Sequence, residues 1–467
     1  MRLERVIRSI AILSTLALTQ LFSGCVSQYA TRLSDVRRDF YEYGEPELAR
    51  SEIEARRKRA PEREQSVWKL NEASVDLSTG RVKEAKAKLV AARNEFDDLE
   101  AQAAKKAAED VLQYWADDAA TSYEGEDYEK VMIRATLAIA DLLDDGEDAR
   151  AYAKQIAAKQ DEIVMRGQLA VAPNSEDPAR PRDRAPRNPK LSYPRVPLGP
   201  YLEGLLYEET YLDANEAARR YEQVVKWRPQ FKQGQRDLAR AREGVHSAPG
   251  NGRLYVFAFV GKGPHKIQGS AEVTQMALLV ADQIFSATNK YSVPPTLAPV
   301  PIPELVVDEP RVAALEIDVD GECVGATETI ADVNEMAIKQ FEATKDQIIA
   351  RAVVRRIVKK GTLYAAKEVA QVNDWVSLAI DAGGVIWEAT ETADARCWGL
   401  LPAKIQVYSL ELPAGEHRIA ITPTDHAGRK IGAASRATVS VPANRNAYAL
   451  ITCPDLDPLG DIVVSNP

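Results

Sequence analysis

Four groups of residues carry side chains whose types and spacing bear on chemistry. Asp318, Asp320 and Glu322 alternate, so a strand places three carboxylates on one face while Ile317 and Val319 point inward. Three carboxylates can hold Ca²⁺ or serve as acid and base in an enzyme. The later ligands of a calcium loop are missing, and a solvated strand face running into an Asp320-Gly321 turn accounts for the same residues. Asp394, Arg396 and Trp398 share one face of an extended chain, where Arg and Asp can pair and a guanidinium can stack on the indole. They form a candidate partner- or ligand-contact patch, weighed against a structural ion pair at a domain corner, which is the favoured reading. Gly261-Lys-Gly-Pro264 leaves an apolar run but lacks the G-x-x-x-x-G-K-[ST] form, so it reads as a strand exit rather than a phosphate loop. The four histidines, His246, His265, His417 and His426, are scattered, and no HExxH, GxSxG, CxxC or Ser/His/Asp arrangement is present. No catalytic residue, cofactor or metal ligand follows from this set, and the chain reads as a non-enzyme.

The fourth group is at the N-terminus. Arg2, Arg5 and Arg8 precede an apolar run over 10–18, and Leu21-Phe-Ser-Gly-Cys25 ends it. Ser23 and Gly24 are small, as a peptidase needs just before its cut. The run falls short of the roughly 20 apolar residues that span a bilayer. The pattern resembles a bacterial lipoprotein signal, with Phe22 where Leu is usual. That implies removal of 1–24 and a thioether diacylglycerol with an acylated amino group on Cys25, each buried CH₂ adding ~0.8 kcal/mol to anchoring. Val26, not Asp, points to the outer membrane by the sorting rule of enteric-type bacteria, with the body facing the periplasm. The net charge of −9 argues against nucleic-acid binding, which rests on clustered Lys and Arg. Of the remaining cysteines, Cys323, Cys397 and Cys453, an oxidising compartment permits a Cys397–Cys453 disulfide; buried free thiols are the alternative.

The elements that position these groups fall into four stretches after the signal. Residues 25–170 read as a helical repeat region. Turn glycines recur at Gly44, Gly80, Gly125 and Gly146, and Ala49 and Ala85 follow the first two by five residues, inside the next helix. The 36-residue step from Gly44 to Gly80 is close to the period of tetratricopeptide repeats. Residues 171–200 carry eight prolines among several arginines and read as an extended crossing segment, not helix. Residues 201–248 give a tetratricopeptide-like hairpin, with Gly204 and Tyr207 at first-helix spacing and Ala217, Tyr221, Val224 and Pro229 at second-helix spacing. Residues 249–467 read as an α+β domain. Within it, 254–260 is a central strand covered on both faces, and 273–285 is a helix. A proline-rich crossing over 294–303 follows. A long amphipathic helix over 333–360 has Ile338, Phe341, Ile348, Ala352 and Ile357 in its stripe. The end is an antiparallel, β-sandwich-like part over 404–453. An apolar stretch at 376–380 and 382–387 reads as a buried hairpin or a contact surface.

The whole chain resembles a group of uncharacterised bacterial lipoproteins that pair an N-terminal tetratricopeptide-like helical region with a C-terminal α/β region. The matching pieces are Tyr128-Glu-Lys-Val-Met132, Gly261-x-Gly-Pro264-x-Lys266, and Ala393-Asp-x-Arg396-x-Trp398 followed by Leu401-Pro-Ala-Lys-Ile-Gln406 and Gly415-Glu-His417. The proline-arginine segment departs from their pattern. The resemblance implies work in the cell envelope and assigns no activity. The expectation is a multidomain, lipid-anchored scaffold, held to the membrane through Cys25, that binds periplasmic or outer-membrane proteins through its helical repeats. The alternatives are an envelope-polymer enzyme using Asp318, Asp320 or Glu322, and a glycan-binding lipoprotein with a Trp387 or Trp398 platform.

Overall fold

Glycine-marked turns and Ala/Leu-rich runs build the first half from helices. The computed structural model describes residues 28–109, 122–171, 195–210, 214–288, 299–369 and 393–465. Helix α1 (Gln28–Arg37) continues into a π-helical turn over Arg38–Glu42. It is followed by α2 (Pro46–Arg59), α3 (Gln65–Ser78), α4 (Val82–Glu109), α5 (Asp127–Asp144) and α6 (Ala149–Val171). Then come α7 (Leu198–Glu209), α8 (Ala214–Trp227) and α9 (Lys232–Glu243). Each helix from α2 to α8 packs on the next in sequence. Gly44, Gly80, Gly125 and Gly146 all sit at φ between 67° and 75°, the left-handed region where a side chain is costly. Ala49 and Ala85 are fully buried. Cys25 and residues 172–194 lie outside the described residues. At the end of the proline-rich stretch the expectation of no helix is corrected: Pro197 precedes α7 and Pro200 lies in its first turn. A proline is tolerated there because first-turn N–H groups have no intrahelical acceptor.

The second half adds β1 (Asn251–Lys262), β2 (His265–Ala271), α10 (Gln275–Thr288), β3 (Val300–Val306), β4 (Ala314–Val319), β5 (Glu322–Ala326) and β6 (Glu328–Asp332). Next are α11 (Val333–Val369), β7 (Pro402–Pro413), β8 (Gly415–Thr424), β9 (Ser435–Val441), β10 (Asn446–Cys453) and β11 (Leu459–Val464). A five-stranded sheet runs β11-β10-β1-β7-β6, and a four-stranded sheet runs β5-β4-β8-β9. The expected antiparallel sheet is in fact mixed. β7 is antiparallel to β1, but β10 lies parallel to it on the other side. The reason is the route: β8 and β9 pair in the second sheet, and the chain returns from there to β1 as a crossover, which parallel pairing requires.

β1 is central and buried on both faces, because side chains alternate along a strand. Leu254, Val256, Ala258 and Val260 meet Leu315, Ile317, Ile419, Ile421 and Val439 of the second sheet. Tyr255, Phe257 and Phe259 belong instead to the core that runs through the helices. The order of layers is helices, five-stranded sheet, four-stranded sheet. β2 and β3 form a separate two-stranded ribbon covered by α10 and α11. Pro301 and Pro303 lie inside β3 rather than before it; a strand with one free edge accepts residues that cannot donate. In α11 the buried face includes Met336, Ala337, Ile349, Val353 and Ile357, whereas Ile338 is exposed, so the expected stripe is mis-phased at its start. Residues 370–392, which include 376–380, 382–387 and Trp387, lie outside the described residues.

Candidate functional site

Two places in the helical layer gather charge. The first is a groove between α4, α5 and α6. Residues 128–143 of α5 are all buried, so its polar side chains need partners. The Arg134 guanidinium donates to both carboxylate oxygens of Asp97 at 2.7 Å. Lys159 reaches Glu100 at 2.9 Å and Glu162 at 2.7 Å, and Lys130 reaches Glu100 at 3.2 Å. Burial works against the Lys159 ammonium, but Glu162 and Glu100 outweigh it and hold its pKa above the ordinary lysine value. Around these pairs lies a cavity of about 720 Å³, lined by Arg93, Asp97, Glu100, Arg134, Lys159 and Glu162 among others. The groove thus carries fixed charges of both signs, paired with one another along its walls.

The second is a buried node between α5, β2 and the segment entering β7. Glu126 and Glu129 form a capping box at the start of α5. Glu129 is fully buried. One of its oxygens accepts from the Tyr123 hydroxyl at 2.6 Å and the Glu126 N–H at 3.1 Å. The other accepts from the Trp398 N–H at 2.7 Å. Burial raises the Glu129 pKa above the ordinary carboxyl value, and Glu126 adds to this. Lys266, also buried, pairs with Glu126; burial opposes its charge, but Glu126, Glu129 and Asp394 raise its pKa. Gln340 of α11 donates to Glu126 at 2.6 Å and accepts from the Tyr128 N–H at 2.8 Å. Above the node a cavity of about 260 Å³ opens, with Glu126, Lys266, Gln340, Arg351, Arg355 and Asp394 in its lining.

Asp394 and Arg396 pair at 2.9 and 2.7 Å. Burial works against Asp394, but Arg396 outweighs it and holds the carboxyl pKa below the usual range. Arg396 lies over the Tyr123 ring, 5.4 Å from its centroid, not over Trp398. Trp398 is buried, and its indole N–H donates to Ser74 of α3 at 2.8 Å. Of the three residues, Asp394 alone lines the cavity, and Trp398 faces protein rather than solvent. The separate motifs around Tyr128, Lys266 and Arg396–Trp398 thus meet in one place. Sequence reasoning missed Glu126, Glu129 and Gln340. A capping box is recognised in sequence by Ser, Thr, Asp or Asn at the N-cap, and Glu126 is none of these, so neither this pair nor Gln340 carried a sequence signal.

The three alternating carboxylates do not converge. Asp320 occupies the turn at φ 51° and pairs with His417 at 2.7 Å, while Glu322 is exposed. Ligand atoms of Glu316, Asp318 and Cys323 do gather within 4.8 Å. The Lys430 ammonium already sits there, 2.6 Å from Glu316 and 3.6 Å from Asp318, so the cluster holds an internal cation. Cys323, Cys397 and Cys453 are free thiols, and the Cys397–Cys453 disulfide is absent. Cys397 lies in the helix-facing core and Cys453 between the sheets, and burial pushes both thiols up to about 12. The repeat-packing residues meet as a helical pair. A Cβ on Gly204 would stand 2.8 Å from the Tyr221 ring, and Ala217 and Tyr221 are fully buried. Tyr207 is half-buried under Arg150, and Pro229 is exposed in the turn before α9. Comparison of the chain with protein-family models, curated proteins and solved structures gave no match.

Proposed function

We propose that the chain is a lipid-anchored scaffold of the bacterial cell envelope that holds a partner protein in the groove of its helical layer. Cys25 carries the anchor, the outer membrane is the site, and the α2–α9 stack is tetratricopeptide-like. The observation that carries the reading is the open groove over α4, α5 and α6, on helices whose core is shared with the five-stranded sheet. Three further features support it. Residues 21–25 have the form of a lipidation signal. No described helix is long and apolar enough to cross a membrane. The Gly204–Tyr221 approach is the close helix contact that such repeats use. Confinement at a membrane raises local concentration, so modest contacts suffice.

The test places a photo-crosslinking residue at Gln155, on the groove wall, in cells. One defined envelope protein should crosslink, and Asp97→Lys should abolish the product. A Cys25→Ala chain should leave the membrane fraction. No product above a control at exposed Val245, or a product indifferent to Asp97→Lys, refutes the groove's role.

A further inference from the structure

Nine large apolar side chains are exposed among the described residues, and five of them sit on one small unit. Ile267 is on β2, Met276 and Leu279 on α10, Val307 just past β3, and Ile338 on α11. The unit has its own core of Ala277, Ala281, Ile284, Phe285, Val300, Ile302 and the facing residues of α11. Helix α10 is therefore apolar on two sides. Ala277 and Ala281 are fully buried, while Met276 and Leu279, one turn apart, are 55% and 60% exposed. Its sequence has one charge, Asp282. A helix that packs only one of two apolar faces presents the other to something.

The position of Tyr29 argues for one occupant. Cys25 stands four residues before Tyr29, so an extended chain reaches at most about 14 Å from it. Tyr29 is held in place: it is buried, and its hydroxyl donates to the Cys397 carbonyl at 2.8 Å. Cys397 in turn accepts from the Lys266 N–H of β2 at 3.4 Å, and α1 packs on β2. Ile267 is the next residue, Val307 flanks the same end of the ribbon, and β2 leads from its opposite end, at Ala271, into α10. This end of the ribbon therefore lies within reach of a lipid on Cys25.

We infer that the β2–α10–β3 unit is the membrane-facing side of the body, with Met276 and Leu279 of α10 seated in the lipid interface. The inference rests on the anchoring read from Cys25. The tether makes contact intramolecular, so two inserted side chains that bind weakly alone suffice to orient the body.

The experiment uses the lipidated chain in vesicles of phosphatidylethanolamine and phosphatidylglycerol, with and without a lipid bearing a nitroxide on its acyl chain. In a Cys323→Ser background, which leaves only buried thiols, Met276→Cys, Leu279→Cys and the control Val245→Cys are labelled with an environment-sensitive fluorophore. All three positions are exposed, so folding is preserved. Labels at 276 and 279 should shift to the blue and lose at least half their emission to nitroxide lipid, and the label at 245 should do neither. A chain that floats with the vesicles but is quenched no more at 276 and 279 than at 245 overturns the inference and leaves the anchoring intact. A blue shift that follows protein concentration and ignores the nitroxide assigns the face to a second copy, which also overturns it. A chain that does not float at all overturns the anchoring itself.

Discussion

Glu129 offers the sharpest test of the buried node, because each of its two oxygens accepts a backbone N–H. Oε1 takes the Trp398 N–H at 2.7 Å and Oε2 takes the Glu126 N–H at 3.1 Å. In Glu129→Gln, whichever way the amide turns, its NH₂ faces one of these two donors. One buried N–H is left without an acceptor, which costs about 1–3 kcal/mol. In Glu129→Ala both lose their acceptor, and the Tyr123 hydroxyl loses its 2.6 Å partner. Removing a buried charge offsets part of this, leaving a net loss of about 3–5 kcal/mol. The order should be wild type, then Gln, then Ala in urea midpoint, followed by far-ultraviolet circular dichroism with m unchanged. The pH dependence adds a second constraint. Burial raises the Glu129 pKa in the folded chain. Between the unfolded value, about 4.3, and that raised value, the folded state keeps a proton that the unfolded chain releases. Its contribution is therefore largest below the window and falls as pH rises through it. Gln does not titrate, so the gap between wild type and Glu129→Gln should narrow as pH rises. A Gln variant within about 0.5 kcal/mol of wild type, well below one orphaned buried donor, or a gap that widens with pH, refutes the account.

Gly204→Ala gains helix propensity of about 1 kcal/mol but places a Cβ 2.8 Å from the Tyr221 ring. Overpacking of about 1–3 kcal/mol should win, so the urea midpoint should fall; a stabilised variant refutes the close approach. For His417, burial pulls the pKa down, but the Asp320 carboxylate and the Pro413 carbonyl outweigh it and hold it above 6.5. The folded pKa is raised, so this pair stabilises fully below the unfolded histidine value and is lost as pH rises through the folded one. Asp320→Asn should lower the His417 midpoint in a titration followed by NMR of labelled histidine, and an unmoved midpoint refutes the pairing.

The helical half was legible because its signals are local. Gly44, Gly80, Gly125 and Gly146 mark turns by a backbone property that glycine alone supplies cheaply, and all four adopt it. The doubly covered β1 was legible from an unbroken apolar run at 254–260. The parallel β1–β10 pair was not, since alternation along a strand says which faces are buried and nothing about direction. Pro301 and Pro303 misled for a related reason: a proline excludes a central strand but not an edge, and edge position is a tertiary fact. The Arg134–Asp97 pair, 37 residues apart, and the Lys159–Glu100 pair, 59 apart, left no short-range spacing to find. Trp398 and Arg396 were visible as residues, but that Trp398 faces α3 depends on a layer contributed from more than three hundred residues away.

The groove and the node are linked through one helix. Glu129 and Arg134 lie five residues apart on α5, about 140° around its axis, so one turns to the node while the other turns to the groove. The node holds the chain near the proposed anchor as well. Tyr29 of α1 bonds Cys397, and Asn71 of α3 donates to Tyr29 at 3.1 Å while accepting from the Leu400 N–H at 3.0 Å. Arg37 reaches the Gly263 carbonyl at 3.3 Å, and Tyr41 the Leu401 carbonyl at 2.9 Å. These bonds tie α1 and α3 to the segment entering β7, and Glu129 ties that segment to α5. Under the scaffold reading proposed above, such ties would preorganise a partner's orientation to the bilayer and spare the entropy of fixing it anew at each encounter. Burying charged groups such as Glu129 and Lys266 is costly in itself, and burial opposes the charged form of both. An apolar interface sets its register by shape alone, whereas the node adds directional bonds to Glu129 from Tyr123, Glu126 and Trp398.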